Sequence, residues 1–173
     1  GCRSFCSPVS TEAAALIIEQ ANTQNLGMPI LAGDTWDSNV ILGAVKGTNI
    51  DINVTTFFAE GSTDSTVAEF VEKFRAWLNA DANRITDNGG NDVVAANPVM
   101  AYDAYNVALE AIRLAGSTDG EAIKAALPNV SYKGITGLIE FNEIGDAKRD
   151  VAYVKHADSQ SGEWEFVAIQ SVK

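Results

Sequence analysis

The chain has 173 residues, of which 46% are hydrophobic and 20% charged, and its formal net charge is −11 at pH 7. The apolar content suffices for the core of one globular domain or of two small lobes, which argues against a disordered chain. The acidic balance argues against binding to nucleic acid or to an anionic membrane, and no apolar run approaches the roughly 20 residues of a membrane-spanning helix.

The first third of the chain alternates between strand and helix patterns. A short strand is predicted at residues 2–9, followed by apolar residues at helical spacing through residues 11–25. The segment MPILAG at residues 28–33 predicts a buried strand, and a short helix at residues 39–46 leads to DINVTTFF at residues 51–58, a third strand. This β-α-β-α-β order implies parallel strands joined by right-handed helical crossovers.

The middle of the chain is predominantly helical. The small, polar segment AEGSTDS at residues 59–65 is a linker, and a long helix with a wide apolar face follows through residues 67–78. Residues 81–92 are polar and contain Asn-Gly-Gly, which predicts a surface loop. Pro98 is typical of the first turn of a further helix, and Gly116 ends that helix.

The last part of the chain returns to strands. An alternating pattern predicts one strand over residues 134–141, and a hairpin is predicted between residues 151–156 and 164–172. On the preceding helix, Tyr102 and Tyr105 lie close to one turn apart, and we expect both to pack in the core.

Residues 28–38, reading MPILAGDTWDS, are the most informative segment for function. Open α/β sheets bind their ligands at the carboxyl ends of their strands, and Asp34 and Trp36 are expected to project from that edge, with Asp37 or Ser38 capping the next helix. A carboxylate beside an indole suits a small ligand with a positive amine. The alternative is that Asp34 only satisfies loop amides and that Trp36 only packs.

Patterns for catalysis, metals and cofactors are missing from the sequence. There is no Gly-x-Ser-x-Gly nucleophile elbow and no glycine-rich phosphate loop, so no enzyme activity and no cofactor are expected. Zinc needs more ligands than Cys2, Cys6 and the distant His156. An extended segment separates the two cysteines by roughly 13 Å, so we expect them to be free or to bridge between chains. The remaining candidates are three strand ends, at residues 7–11, in the Asp34 loop and at residues 57–60.

Three separated segments together resemble a known family. They are CRSFCSPVSTEAAALIIEQANTQNLGMPILAGDTWDS, AYDAYNVALEAIRLAGSTDGEAIKAAL and KGITGLIEFNEIGDAKRD, at residues 2–38, 101–127 and 133–150. In this order they resemble the periplasmic or lipoprotein solute-binding proteins of branched-chain amino acid ABC transporters. The GDTWDS loop, the YDA helix followed by AGSTD and the ITG-x-I-x-F-N-x-x-GD pattern carry the resemblance.

The resemblance implies an α/β protein of the type I periplasmic-binding-protein fold, with Rossmann-like lobes built on parallel sheets and joined by three crossings. The chain corresponds to the C-terminal half only. Residues 1–60 are then part of the second lobe, residues 61–145 return to the first lobe, and residues 146–173 cross back. The implied protein is exported, periplasmic or membrane-anchored outside the cell, and delivers an amino acid or similar small solute to a membrane permease. It does no chemistry.

Ligand contacts also follow from the resemblance. Asp34 matches the acidic position that pairs with the ligand's ammonium group, while Val9 and Ser10 fall where the family often places a cleft-lining side chain. Both residues are small here, which leaves room for a larger ligand. Trp36 would line the rim of the cleft or pack against the hinge. The groups that usually hold the ligand's carboxylate belong to the half that this chain does not match.

Three alternatives remain open from the sequence. One is an α/β hydrolase or transferase, although no nucleophile, base or cofactor loop is found by the usual patterns. A ligand-sensing domain of a receptor or regulator can share the same fold, since fold does not determine function. The chain can also be a non-binding fragment that lacks half of the site. Uncovered helix faces and strand edges would then favour a homodimer or a domain swap.

Overall fold

The structure, a computed structural model, describes residues 3–61, 64–149 and 151–171. Strands are found at β1 (Phe5–Ser7), β2 (Ile30–Ala32), β3 (Ile52–Thr56), β4 (Ser131–Gly134), β5 (Gly137–Glu140), β6 (Val151–Asp158) and β7 (Glu163–Ser171). Helices are found at α1 (Thr11–Thr23), α2 (Asn39–Val45), α3 (Ser65–Asn79), α4 (Ala82–Asp87), α5 (Ala96–Ala115) and α6 (Gly120–Ala126). Short 3₁₀ helices occupy Asp34–Trp36 and Leu127–Asn129.

The main sheet has five strands in the order β1-β2-β3-β6-β7. The first three strands are parallel, as the β-α-β-α-β pattern predicted, so this prediction is confirmed. β6 pairs antiparallel with β3 and forms the predicted hairpin with β7. The last strands of the chain therefore complete the sheet that the first 60 residues begin. The assignment of these segments to two lobes of a larger protein stays a prediction.

The core of the sheet lies on the face that α1 and α2 cover. Ile30 on β2 and Ile52 on β3 are neighbours in register, and both are fully buried. Leu31 points to the opposite face, because successive side chains of a strand alternate, and it is 42% exposed. The sheet is therefore packed much more closely on one face than on the other.

The helices of the middle segment form two further apolar clusters. One joins the end of the first segment to α3 and to the start of α5, and the other packs α5 against the β4–β5 hairpin. The first cluster contains Phe58, Val67, Val71, Val94, Ala96 and Val99. The second contains Val107, Ala111, Val130 and Ile139.

The prediction of a surface loop over residues 81–92 was wrong, because α4 lies within it. Asp81 begins this helix by accepting a hydrogen bond from the Asn83 amide at 2.9 Å. None of the residues of α4 is buried, so the helix has no apolar periodicity by which the sequence could reveal it. Its position depends on a tertiary contact, in which the Arg84 guanidinium donates to the Trp77 carbonyl at 2.8 Å.

The strand predicted over residues 134–141 is confirmed for Gly137–Glu140, which is β5, but its first part is wrong, because the chain reverses there between β4 and β5. The reversal is held by the buried carboxylate of Asp103 on α5. It accepts hydrogen bonds from the Ile135 amide at 2.9 Å and from the Thr136 amide at 2.8 Å and hydroxyl at 2.7 Å. A Cβ on Gly134 would lie 2.5 Å from the Asp103 carboxylate, so only glycine fits there. The YDA and ITG motifs are thus two parts of one contact.

The expected core packing of Tyr102 and Tyr105 is wrong as well, since they are 47% and 65% exposed. The buried face of α5 instead repeats every four residues, through Val99, Asp103 and Val107 to Ala111. Both tyrosines lie beside this face, and the Tyr102 ring contacts the Phe70 ring at a centroid distance of 5.0 Å. Helical spacing alone therefore assigned the two tyrosines to the buried face of α5, whereas they lie next to it.

Two further expectations concern the membrane and the cysteines. Within residues 3–61, 64–149 and 151–171, no helix combines the length and the apolar character needed to cross a membrane. Cys6 is a free, exposed thiol, whereas Cys2 lies outside the described residues. The redox state of Cys2 stays a prediction.

We expect Asp103→Asn to destabilise the fold by about 1.5 to 3 kcal/mol, because the turn loses hydrogen bonds to a charged acceptor. The free energy of urea unfolding, followed by circular dichroism, measures this loss. Asp146→Asn is the matched control, since Asp146 is exposed. Equal stability of the two variants would mean that the Asp103 carboxylate does not hold the turn.

Candidate functional site

A small cavity lies where the carboxyl ends of β2 and β3 meet the beginning of β6. Its volume is about 100 Å³. This is the edge at which open α/β sheets bind ligands, and it is the edge that the sequence singled out. The lining residues are Gly33, Asp34, Thr55, Thr56, Phe57 and Ala152.

Asp34 provides the carboxylate of this cavity. Gly33 follows β2 in an extended conformation, and Asp34 begins the 3₁₀ helix that turns the chain away from the sheet. The side chain is half-buried, and no donor among the described residues hydrogen-bonds its carboxylate. The structure therefore does not support the alternative in which Asp34 only satisfies loop amides. A half-buried carboxylate without a partner is suited to pair with a cation.

Val9 and Ser10 lie beside the Asp34 turn. The Val9 carbonyl accepts hydrogen bonds from the Trp36 indole at 3.1 Å and the Thr35 hydroxyl at 3.3 Å. Thr11 returns a bond from its hydroxyl to the Thr35 carbonyl at 2.7 Å. The loop after β1 and the turn after β2 are thus joined along the edge of the sheet, as the convergence of the strand ends predicted.

Ser10 is exposed at the N-cap position of α1, but its side chain does not cap the helix. Its hydroxyl lies instead by Glu12. The Glu12 backbone amide and then the Ser10 hydroxyl hold the pKa of the Glu12 carboxyl below its usual range. The hydroxyl is therefore at the surface near the site, and its contact with a ligand stays a prediction.

Trp36 has a different place from the other three predicted residues. Its side chain is fully buried and packs in the core cluster of the main sheet with residues of α1 and α2. The ring has no exposed surface for a ligand, and its indole N–H is bonded to the Val9 carbonyl. Trp36 thus anchors the Asp34 turn to the core of the main sheet. This corresponds to the alternative in which Trp36 only packs.

A buried ion pair is joined to the cavity through Thr56, which lines the cavity and bonds to the pair. The Lys155 ammonium on β6 is 2.7 Å from the Asp37 carboxylate, and the two side chains are 4% and 0% exposed. The Thr56 hydroxyl, at the end of β3, donates to the other Asp37 oxygen at 2.7 Å. This network links the turn after β2 to the strands on its far side. A buried charge is costly unless it is paired. Removal of either Asp37 or Lys155 would therefore leave the other as an unpaired buried charge.

Sequence reasoning missed this network and assigned Asp37 or Ser38 to helix capping. Ser38 does occupy the N-cap position of α2, but its buried hydroxyl has no hydrogen-bond partner among the described residues, so the capping prediction is wrong. The available signal was Lys155, a charged residue on the strand face that packs inward. A lysine on a buried face implies an acidic partner elsewhere in the chain.

A larger cavity of about 270 Å³ lies beside β7 and α3, lined in part by Glu60, Arg75 and Trp164. Its Glu60 carboxylate is already paired with the Arg75 guanidinium at 2.6 Å and also accepts from the Val94 amide. We favour the smaller cavity as the ligand site, because its Asp34 carboxylate has no such partner.

No protein-family model matches the sequence, and no curated protein matches it either. Solved structures do match. The leucine-binding protein LivK from Thermotoga maritima has a TM-score of 0.75 and 26% identity over 98% of this chain and 45% of LivK. LivJ from Streptococcus pneumoniae, in complex with isoleucine, has a TM-score of 0.68 and 19% identity over 98% of this chain and 44% of LivJ.

A third match is an ABC transporter solute-binding protein from R. palustris in complex with benzoate, with a TM-score of 0.75 and 14% identity over 98% of this chain and 43% of that protein. The chain thus spans less than half the length of these proteins. The type I periplasmic-binding-protein fold is confirmed, and so is the resemblance to the solute-binding proteins of branched-chain amino acid ABC transporters.

We expect Lys155→Met to destabilise the protein by about 3 to 5 kcal/mol, because Asp37 would keep a buried charge without a counter-ion. The measurement is the free energy of urea unfolding. Lys148→Met is the matched control, since Lys148 is exposed and 3.7 Å from Glu140, and we expect a change of no more than about 1 kcal/mol.

A double-variant cycle extends this test. Asp37→Asn keeps an acceptor for Thr56 while removing the negative charge. The double variant Asp37→Asn, Lys155→Met should therefore lose less stability than the sum of the two single variants. Strict additivity would show that the two charges are not energetically coupled.

Proposed function

We propose that this chain forms part of an extracytoplasmic solute-binding protein of an ABC importer, and that its Asp34 cavity binds the ammonium group of an amino acid or a similar small amine. The observation that carries the proposal is the half-buried Asp34 carboxylate without a hydrogen-bond partner among the described residues. The matches to LivK and LivJ support an amino acid as the solute.

The shape of the cavity supports binding of one end of a solute. A protonated amine gains both a charge pair and a hydrogen bond from Asp34, which lines the cavity. Phe57 and Ala152 provide an apolar side for the remainder of the molecule. A volume of about 100 Å³ encloses only part of an amino acid, so a second surface has to cover the rest.

In this proposal the protein binds its solute without catalysis. In the proposed protein a second lobe closes over the solute, and closure exchanges the solute's hydration for apolar burial and charged hydrogen bonds. The closed form is the one that a membrane permease would recognise. The protein would act in the periplasm, or outside the cell on a membrane anchor.

Self-association is a further part of the proposal. Large apolar side chains are exposed on α3 and α5, among them Trp77 at 51%, Tyr105 at 65% and Leu109 at 46%. Exposed apolar surface of this kind is often a contact surface for another protein. We propose that, in the chain on its own, a second copy covers them and forms a homodimer or a domain swap.

Calorimetric titration with a panel of aliphatic, aromatic and small polar amino acids tests the proposed function. We expect saturable binding of one class. Asp34→Asn should weaken that binding by about 1.5 to 3 kcal/mol, because the ammonium loses a charged hydrogen bond. Asp87→Asn, at an exposed position on α4, should leave the affinity unchanged.

The results of the titration, together with the sequence of the complete gene, distinguish the remaining interpretations. Unchanged affinity in Asp34→Asn would remove Asp34 from the site. A well-folded sample that binds no amino acid would favour a fragment whose site needs another lobe, or a solute of another class. A sensor domain would be favoured if the complete gene encodes a transmembrane or DNA-binding segment.

Light scattering across a range of protein concentrations tests the association. We expect a dimer that dissociates on dilution, and we expect Tyr105→Ser to raise the dissociation constant because it removes exposed apolar area from the contact. Val40→Ser is the control, since Val40 is 52% exposed on α2, away from this surface. A monomer at all concentrations would exclude the homodimer.

A further inference from the structure

Phe57 is the apolar wall of the Asp34 cavity, and a cation lies against its ring. The Arg149 guanidinium carbon is 5.3 Å from the centroid of the Phe57 ring. A guanidinium at this distance is attracted by the electrons of an aromatic ring and favours one ring orientation. Arg149 itself is not among the residues that line the cavity.

Arg149 is held in turn by the β4–β5 hairpin. One of its terminal nitrogens donates to the Thr136 carbonyl at 2.9 Å and to the Thr136 hydroxyl at 3.1 Å. The Thr136 hydroxyl donates to the buried Asp103 carboxylate on α5 at 2.7 Å. The side chains of Asp103, Thr136, Arg149 and Phe57 therefore form a continuous series of contacts from α5 to the cavity.

This series joins two parts of the fold that share no sheet. Phe57 directly follows β3 of the five-stranded sheet, whereas Thr136 lies in the reversal of the separate two-stranded sheet. The turn has little freedom of its own, because the Asp103 carboxylate holds two of its amides. The position of the guanidinium, and with it the favoured orientation of the ring, is thus set by the hairpin.

We propose that Phe57 determines which solute side chains the Asp34 cavity accepts, and that Arg149 is the positioning residue that holds its ring in place. The inference rests on the proposed function, since it concerns the same cavity. With the ammonium group at Asp34, an apolar side chain of the solute would lie against the Phe57 ring. A ring that moves freely would give a poorer contact, so the preference for solutes with an apolar side chain would decrease.

Arg149→Met tests the positioning role, since it keeps an unbranched apolar side chain and removes both the charge and the hydrogen-bond donors. Lys148→Met is the matched control on the adjacent residue, whose ammonium is 3.7 Å from Glu140. Arg149→Lys restores a cation without the planar, forked donor group. It should recover part of the effect.

Two measurements are made on each variant. The first is the NMR spectrum of the Phe57 ring without ligand, in protein labelled with ¹³C at phenylalanine and assigned through Phe57→Leu. The second is the ratio of the affinities for L-leucine and L-alanine, measured by calorimetry. We expect Arg149→Met to shift the Phe57 resonances and to lower the leucine-to-alanine ratio by about threefold to fivefold, as for loss of a partly exposed cation–π contact. Phe57→Leu should also lower the ratio.

The outcomes separate this inference from the proposed function. Unchanged Phe57 resonances in Arg149→Met would overturn the positioning role. Shifted resonances with an unchanged leucine-to-alanine ratio would overturn the role in selection, as would an unchanged ratio in Phe57→Leu. If the unmodified protein binds neither amino acid, the proposed amino acid binding fails. In that case the selection role fails with it, and the ring resonances still decide whether Arg149 positions Phe57.

Discussion

The buried pair of Asp37 and Lys155 is the constraint on which the rest of the site depends. It connects a turn near the start of the chain to a strand near its end, with Thr56 bonded to the same carboxylate. A buried charge is tolerated only with its partner in place, so the turn after β2 has one position relative to β3 and β6. Of these three residues, Thr56 also lines the Asp34 cavity, so the network is continuous with the cavity wall.

A second buried carboxylate has the same function in the helical part. Asp103 holds the reversal between β4 and β5, and through Thr136 it reaches Arg149 close to the cavity. Each of the segments that carry the family resemblance thus contributes to a buried polar contact. The motifs are recognisable largely because the fold needs those residues. Asp34, by contrast, has no hydrogen-bond partner for its carboxylate among the described residues.

The residues of the GDTWDS loop have different roles because they differ in burial. Asp34 is half-buried at the cavity, Trp36 is fully buried below it, and Asp37 points inward to Lys155. Four consecutive residues thus provide a free carboxylate and the packing that fixes its position. A site built in this way is preorganised, because the residue that would contact the ligand has little backbone freedom.

The sequence by itself determined the β-α-β-α-β order, the final hairpin and the edge of the sheet at which Asp34 lies, because these features follow from local periodicity and from the geometry of parallel strands. Only the tertiary structure decided the helix at residues 82–87, the reversal at Thr136 and the partners of Asp37 and Asp103. Those features depend on contacts between residues far apart in the chain, 118 positions apart for Asp37 and Lys155. A local pattern shows that a side chain is charged, but the identity of its partner is determined by how the chain folds.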